Sequence, residues 1–162
     1  MTRMISTFFY VGLLSPASGT WGSLAALPLF WLLHVMGGPL LAVASILILG
    51  AVGSWSALIE TQRLGLPDPG EIVVDEVVGQ WIALLPLSIG AARVNADILA
   101  LWPGWVAGFV LFRAFDIIKP GPVGWAEGFR APIGIMLDDI IAGLLAAICV
   151  VILAALAHIV LV

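Results

Sequence analysis

Carboxylates set among apolar residues are the first chemistry legible in this sequence. In EIVVDEVVGQW, residues 71–81, Asp75 and Glu76 have valines on both sides. A helix through this stretch would place Glu71 and Asp75 on one face, with Gly79 one turn further on. Like charges four residues apart destabilise a helix unless a cation lies beside them, and charge held near hydrocarbon is costly enough to signal function. In FRAFDIIKPG, residues 112–121, Arg113, Asp116 and Lys119 recur every three residues on one predicted helical stripe, which Pro120 discourages from continuing. That stripe fits simple ion pairing and dipole complementarity at a helix C-terminus. It also fits Arg113 and Lys119 gripping a phosphate while Asp116 faces a metal. In MLDD, Asp138 and Asp139 diverge by about 100° on a helix, so one would face a ligand while the other supports it or caps the helix. SPASGTWGS, residues 15–23, is a loop leading into a helix, where backbone amides can hold an anion. Thr20 reads there either as part of a phosphate site or as a plain N-terminal cap.

Asp75, Glu76, Asp116, Asp138 and Asp139, with no Cys–His set beside them, suit a hard cation such as Mg²⁺. Cations together with Mg²⁺ suit phosphate chemistry. The sequence has no GxxxxGK[ST] loop, which argues against nucleoside triphosphate use. It has no Cys-x5-Arg phosphatase loop and no DxDx[TV] start of an aspartyl-phosphate enzyme. His34 and His158 lie at the other ends of apolar runs and read as structural, so a histidine-dependent membrane phosphatase lacks its histidines.

The elements that must position these groups are membrane helices. The chain has 162 residues, 62% of them hydrophobic and only 10% charged, with a mean hydropathy of +1.19. A soluble domain is roughly half apolar and about a quarter charged. The composition therefore predicts an all-α integral membrane bundle, a single domain over residues 1–162. Cys149 is the lone cysteine, so the chain forms no internal disulfide. A net charge of −4 argues against a nucleic-acid partner. The N-terminal MTRMISTFFYVGLL has a weakly basic start and no good cleavage site, which predicts a retained interfacial or buried segment.

About five apolar runs follow: Trp21–Met36, Leu40–Leu58 after a GGP turn, Val77–Ile89, Ile98–Phe112 with a Pro103–Gly104 interruption, and Leu137–Val162. The segments Glu60–Glu76 and Arg113–Asp139 hold every charged residue except Arg3, Arg93 and Asp97. Threading five crossings from an inside N-terminus brings both segments, and the SPASGT loop, to one face. That face carries every Lys and Arg except Arg93, and the positive-inside rule makes it cytoplasmic. Asp138 and Asp139 then mark the start of the last helix at the interface, where carboxylates complement the dipole.

Four motifs in this order, SPASGTWGS, EIVVDEVVGQW, FRAFDIIKPGPVGW and GIMLDDIIAG, closely resemble the phosphatidylglycerophosphatase A family, from about Gly12 to the last helix. The loop reads PASGTWG where the family pattern has PAPGTWG, so Ser18 stands for a proline. The resemblance implies a Mg²⁺-dependent, multi-pass phosphatase of the bacterial inner membrane with its active site facing the cytoplasm. It implies hydrolysis of phosphatidylglycerophosphate to phosphatidylglycerol and phosphate, and it implies that Asp75, Glu76, Asp116, Asp138 and Asp139 belong to the active site. Arg113 and Lys119 match the family's FR-x-x-D-x-x-KP segment. The resemblance does not fix which carboxylate does what.

On chemical grounds we expect Asp138, Asp75 and Asp116 to bind Mg²⁺, Glu76 and Asp139 to ligate or support, and Arg113 and Lys119 to stabilise the phosphoryl oxygens. The competing version makes one aspartate a nucleophile. Nothing in the motifs reads the glycerol headgroup, so another lipid phosphomonoesterase specificity is the nearest alternative. A cation or proton-coupled transporter would also keep membrane carboxylates, though nearer mid-membrane. Membrane lipids are the expected surroundings, and the sequence is compatible with a homo-oligomer whose subunits share a site.

Overall fold

Hydrocarbon offers no partner for a backbone amide, so apolar runs of this length must satisfy their amides internally, as helices. The computed structural model describes residues 1–129 and 133–161, and these contain helices and turns with no strand. Helix α1 (Thr2–Ser6) and a 3₁₀ turn (Val11–Leu13) precede the long α2 (Ser18–Leu64). Then come α3 (Val74–Val94), a second 3₁₀ turn (Ile98–Leu101), α4 (Trp102–Ile118), the short α5 (Pro122–Glu127) and α6 (Ile133–Leu161). The helices α2, α3 and α6, and α4 taken with its preceding turn, are long and apolar enough to cross a membrane. The protein is a membrane helical bundle.

At 47 residues α2 would be about 70 Å long if straight, roughly twice a bilayer's hydrocarbon core. It is instead two arms that meet at Gly38, whose φ of 62° and ψ of −154° only glycine adopts readily. The arms are antiparallel. Gly22 of the first lies against Val73 and Gly53 of the second against Val74, so both bring their outer ends to the start of α3. The GGP turn thus separates two crossings, as its sequence predicts, and the bundle has five.

Helix α3 lies at the centre, with more than half of its length buried. The first arm of α2 runs parallel to it: the Trp81 indole donates to the Ala26 carbonyl at 2.9 Å, and His34 Nδ1 meets Ser88 Oγ at 2.7 Å. Helix α4 is antiparallel, with Phe112 against Gly79, Gly108 against Leu84 and Gly104 against Leu87. Helix α6 is parallel and very close: a Cβ on Gly143 would collide with the Gly79 carbonyl oxygen, and one on Gly79 would lie 2.7 Å from the Asp139 carbonyl oxygen. The N-terminal segment packs onto this frame. The Val73 amide donates to the Ser6 carbonyl at 2.9 Å, and the Thr2 hydroxyl donates to the buried Glu60 at 2.6 Å.

Several element boundaries differ from the apolar runs, because hydropathy stops at a charge and a helix does not. The third run extends to Val74–Val94, with Asp75 and Glu76 in its first turn and Arg93 in its last, each complementing the dipole. Pro103 belongs to the first turn of α4, where it needs no N–H partner, so it starts that helix and does not interrupt it. Helix α6 begins at Ile133, so Asp138 and Asp139 lie in its second turn and neither is the cap expected for them. Thr20 is likewise inside α2, whose N-cap is Ala17. Arg130 and Val162 lie outside the described residues.

The Gly79–Gly143 approach yields a stability test. Gly143→Val should lower the stability of detergent-solubilised protein by about 1–3 kcal/mol, the usual effect of overpacking. Gly50→Ala, where a Cβ would meet nothing, should be neutral or mildly stabilising. Thermal unfolding of both variants checks this, and an unchanged midpoint in Gly143→Val would contradict the packing described.

Candidate active site

The parallel and antiparallel pairings bring four chain segments to one end of the bundle: the start of α2, the start of α3, the end of α4 and the early turns of α6. Each supplies a group the sequence analysis singled out or a neighbour of one.

Asp75, Glu76 and Asp139 form the centre, with one carboxylate oxygen from each lying within 4.8 Å of the others. Asp75 and Asp139 are buried and Glu76 is partly so. Asp75 accepts from the Glu76 backbone amide at 3.0 Å. Glu76 Oε2 and Asp139 Oδ1 are enclosed with no hydrogen-bond partner among the described residues. Buried polar atoms are nearly always partnered, and an unpaired anionic oxygen is the most expensive kind to leave. Three oxygen donors this close, two of their residues with an unpaired oxygen, fit a hard divalent cation.

On one side of this centre stands α2. Glu76 Oε1 lies so close to Gly19 that any Cβ there would collide with it, and Arg113 Nη1 would be 3.1 Å from the same Cβ. Gly19 therefore admits both side chains where a larger residue would exclude them. Ser18, in the place of a family proline, donates its hydroxyl to the Gly70 carbonyl at 2.5 Å and so ties the start of α2 to the segment before α3. Thr20 follows Gly19 in the first turn and is half-buried.

Helix α4 supplies the cation. Arg113 Nη1 pairs with Asp116 at 2.7 Å, both side chains mostly enclosed, and reaches the Ser23 hydroxyl at 3.5 Å. Its Nε has no partner among the described residues. Asp116 adds its charge to the field at Glu76 and Asp139. Lys119 leaves the predicted stripe: it ends α4 in the left-handed region at φ 49°, a strained backbone for a lysine. From there Nζ donates to Asp138 at 2.9 Å and to Glu127 at 2.8 Å. Burial works against the Lys119 charge, but these two hydrogen bonds and the charges behind them outweigh it and hold the ammonium above the usual lysine range.

The 100° divergence of the paired aspartates is visible in their partners. Asp139 joins Asp75 and Glu76, whereas Asp138 joins Lys119 and lines an open cleft with Glu127, Phe129, Thr61, Gln62 and Asp68. The geometry thus groups Asp139, and not Asp138, with the carboxylates that could hold a metal. Glu71 lies before α3 and pairs with Arg3 at 3.4 Å, so the predicted shared face with Asp75 does not form. His34 and exposed His158 are on crossings away from this end, apart from the cluster.

Two residues of the site, Gly19 and Ser23, were not singled out from sequence, and neither was Gln80, one turn beyond Glu76. Gln80 is fully buried, and both its amide atoms lack partners among the described residues. Its four-residue spacing from Glu76 was the available signal.

Known proteins resemble this chain over most of its length. The family model described as phosphatidylglycerophosphatase A matches residues 4–154. The chain is 34% identical over 147 residues to phosphatidylglycerophosphatase A of Escherichia coli strain K12, covering 90% of this chain and 78% of that protein. It is 38% identical to phosphatidylglycerophosphatase A of Haemophilus influenzae, covering 91% and 85%. A Bacteroides thetaiotaomicron protein named provisionally as a phosphatidylinositol-3-phosphatase is 36% identical, covering 86% and 85%. No solved structure matches the chain significantly. The four motifs, their convergence at one end of the bundle and a family match over nearly the whole length lead to one conclusion: the chain belongs to the phosphatidylglycerophosphatase A family.

Proposed function

We propose that this protein is a Mg²⁺-dependent lipid phosphatase that hydrolyses the terminal phosphomonoester of phosphatidylglycerophosphate, giving phosphatidylglycerol and phosphate. The observation that carries this reading is the convergence of Asp75, Glu76 and Asp139, with two unpaired oxygens, beside the Arg113 guanidinium. Family membership adds the substrate class.

Asp75, Glu76 and Asp139 would hold the cation, with Asp116 beside them. A bound divalent cation supplies charge neutralisation and polarisation at a phosphoryl oxygen. Arg113 is placed by Asp116 and Ser23 to meet phosphate oxygens as charge builds on them. Lys119 holds Asp138 at the cleft and is the second cation available to an anionic headgroup. The site's position at one end of the crossings suits a lipid whose acyl chains lie along the bundle and whose headgroup stays at the interface. Arg3, Arg63, Arg113 and Lys119 share this end, which supports a cytoplasmic orientation in the bacterial inner membrane. The carboxylates sit in terminal turns and not at mid-span, which favours an enzyme over a transporter.

The name of the Bacteroides relative favours a second reading, in which the phosphomonoester is kept and the lipid headgroup differs. Phosphate release by detergent-purified protein separates the two. Release from phosphatidylglycerophosphate that needs Mg²⁺, stops with chelator and falls sharply with phosphatidic acid or phosphatidylinositol 3-phosphate is the expected result. Faster release from phosphatidylinositol 3-phosphate would transfer the specificity. No release from any of these lipids with any divalent metal would remove the enzyme reading.

Asp139→Asn should lower turnover on the order of 10²–10³-fold, as removal of a major electrostatic group does, with the fold retained by circular dichroism. Lys119→Met should destabilise the protein by about 1–3 kcal/mol, because it strands the mostly buried Asp138. The lysine is favoured in its charged form in the folded state. Its contribution is therefore complete at neutral pH and is lost only as pH rises past the ordinary lysine value. The gap between native and Lys119→Met unfolding should stay constant from about pH 7 to 9, and a gap that closes within that window would contradict the pairing.

A further inference from the structure

The apolar centre of the bundle contains one polar side chain that neither the fold nor the proposed chemistry uses. Gln80 lies in α3 one turn beyond Glu76 and is wholly enclosed. Neither its amide nitrogen nor its carbonyl oxygen has a partner among the described residues. Leaving a buried amide unpaired costs about 1–3 kcal/mol, whereas an apolar residue of similar shape can be nearly neutral there. Packing alone gives no reason for glutamine at this position.

Its surroundings supply one. Residues four apart on a helix have Cβ atoms about 5–6 Å apart, so Gln80 shares the face of Glu76. The first arm of α2 runs parallel to α3, and Gly19 abuts Glu76. Ser23 stands one turn further along that arm, between the contacts of Gly22 with Val73 and of Ala26 with Trp81. The Ser23 hydroxyl is already committed, donating to the Gly19 carbonyl at 2.8 Å and accepting from Arg113. Glu76 Oε2, Asp139 Oδ1 and Arg113 Nε are the other enclosed atoms without a partner among the described residues. The enclosed atoms without a partner among the described residues thus include two acceptors, Gln80 Oε1 and Glu76 Oε2, and two donors, Gln80 Nε2 and Arg113 Nε. A buried water needs two to four polar partners of this kind.

We propose that Gln80 is a positioning residue of the carboxylate site: its carboxamide holds a water against Glu76 and thereby fixes the orientation in which Glu76 meets a divalent cation. This rests on the cation-binding reading above. Groups that orient a ligating residue typically change metal affinity by about 10–100-fold when removed.

The test is Mn²⁺ binding to detergent-purified, metal-stripped protein by electron paramagnetic resonance, with thermal unfolding of the same samples. Gln80→Leu should weaken Mn²⁺ affinity by about 10–100-fold and alter the bound-Mn²⁺ spectrum, while the metal-free unfolding midpoint stays the same or rises. Gln80→Met serves as the second variant if leucine does not fold. Native-like affinity and spectrum in a folded variant would overturn the proposal and leave the cation site standing. A metal-free midpoint that falls in both variants would show that Gln80 supports the fold and would also overturn it. Failure of the native protein to bind Mn²⁺ would overturn the cation reading, and this inference with it.

Discussion

Three carboxylates confined within 4.8 Å are the constraint around which the rest is built. Two like charges at that separation repel by roughly 3–4 kcal/mol at an effective dielectric of 20. Burial adds the loss of hydration to each. A membrane bundle can keep such a cluster only if positive charge, as a cation or shared protons, is available where the charges meet. Arg113 is the nearest candidate, but its short contact is to Asp116. Lys119 is committed to Asp138 and Glu127. Among the described residues, Glu76 and Asp139 each keep an enclosed oxygen with no hydrogen-bond partner. That imbalance is why a divalent metal is the economical explanation of the site.

The scaffold serves this geometry through small residues. Gly19 lets Glu76 and Arg113 approach α2, and Gly79 with Gly143 lets α3 and α6 touch closely enough for Asp139 to stand beside Asp75. Gly38 reverses α2, so that its two arms both end at the start of α3. Substituting bulk at any of these contacts would change the spacing of oxygens and not merely the packing of hydrocarbon, which links the helix register directly to the chemistry.

Much of this was legible in the sequence, for physical reasons. The chain's hydropathy and recurring apolar runs indicated about five membrane helices, although the third and fourth runs are short by themselves, and the segregation of charge indicated the end at which the site assembles. The quoted motifs contained every acidic residue of the cluster. Helix boundaries were less legible, because Asp75, Glu76 and Asp138 are polar residues inside helices, and a hydropathy reading ends a helix where they begin. Choosing between Asp138 and Asp139 needs the rotational setting of α6 against Gly79, which depends on tertiary packing. Lys119 departs from its stripe because Pro120 ends α4 and turns the lysine into the left-handed region. Gln80 stayed hidden because an uncharged side chain among apolar ones gives no electrostatic signal until its burial and missing partners are seen.

The most direct measurement is the thermal unfolding midpoint of the metal-stripped protein in detergent as Mg²⁺ is added. A cation that binds only the folded state stabilises by RT ln(1 + [L]/Kd), about 2.7 kcal/mol at a hundred times Kd. The account predicts a midpoint that climbs with Mg²⁺ and a climb that vanishes when Glu76 is replaced by glutamine. A midpoint indifferent to Mg²⁺ through the millimolar range would contradict it, because the carboxylate cluster would then be stable without the ion proposed to hold it together.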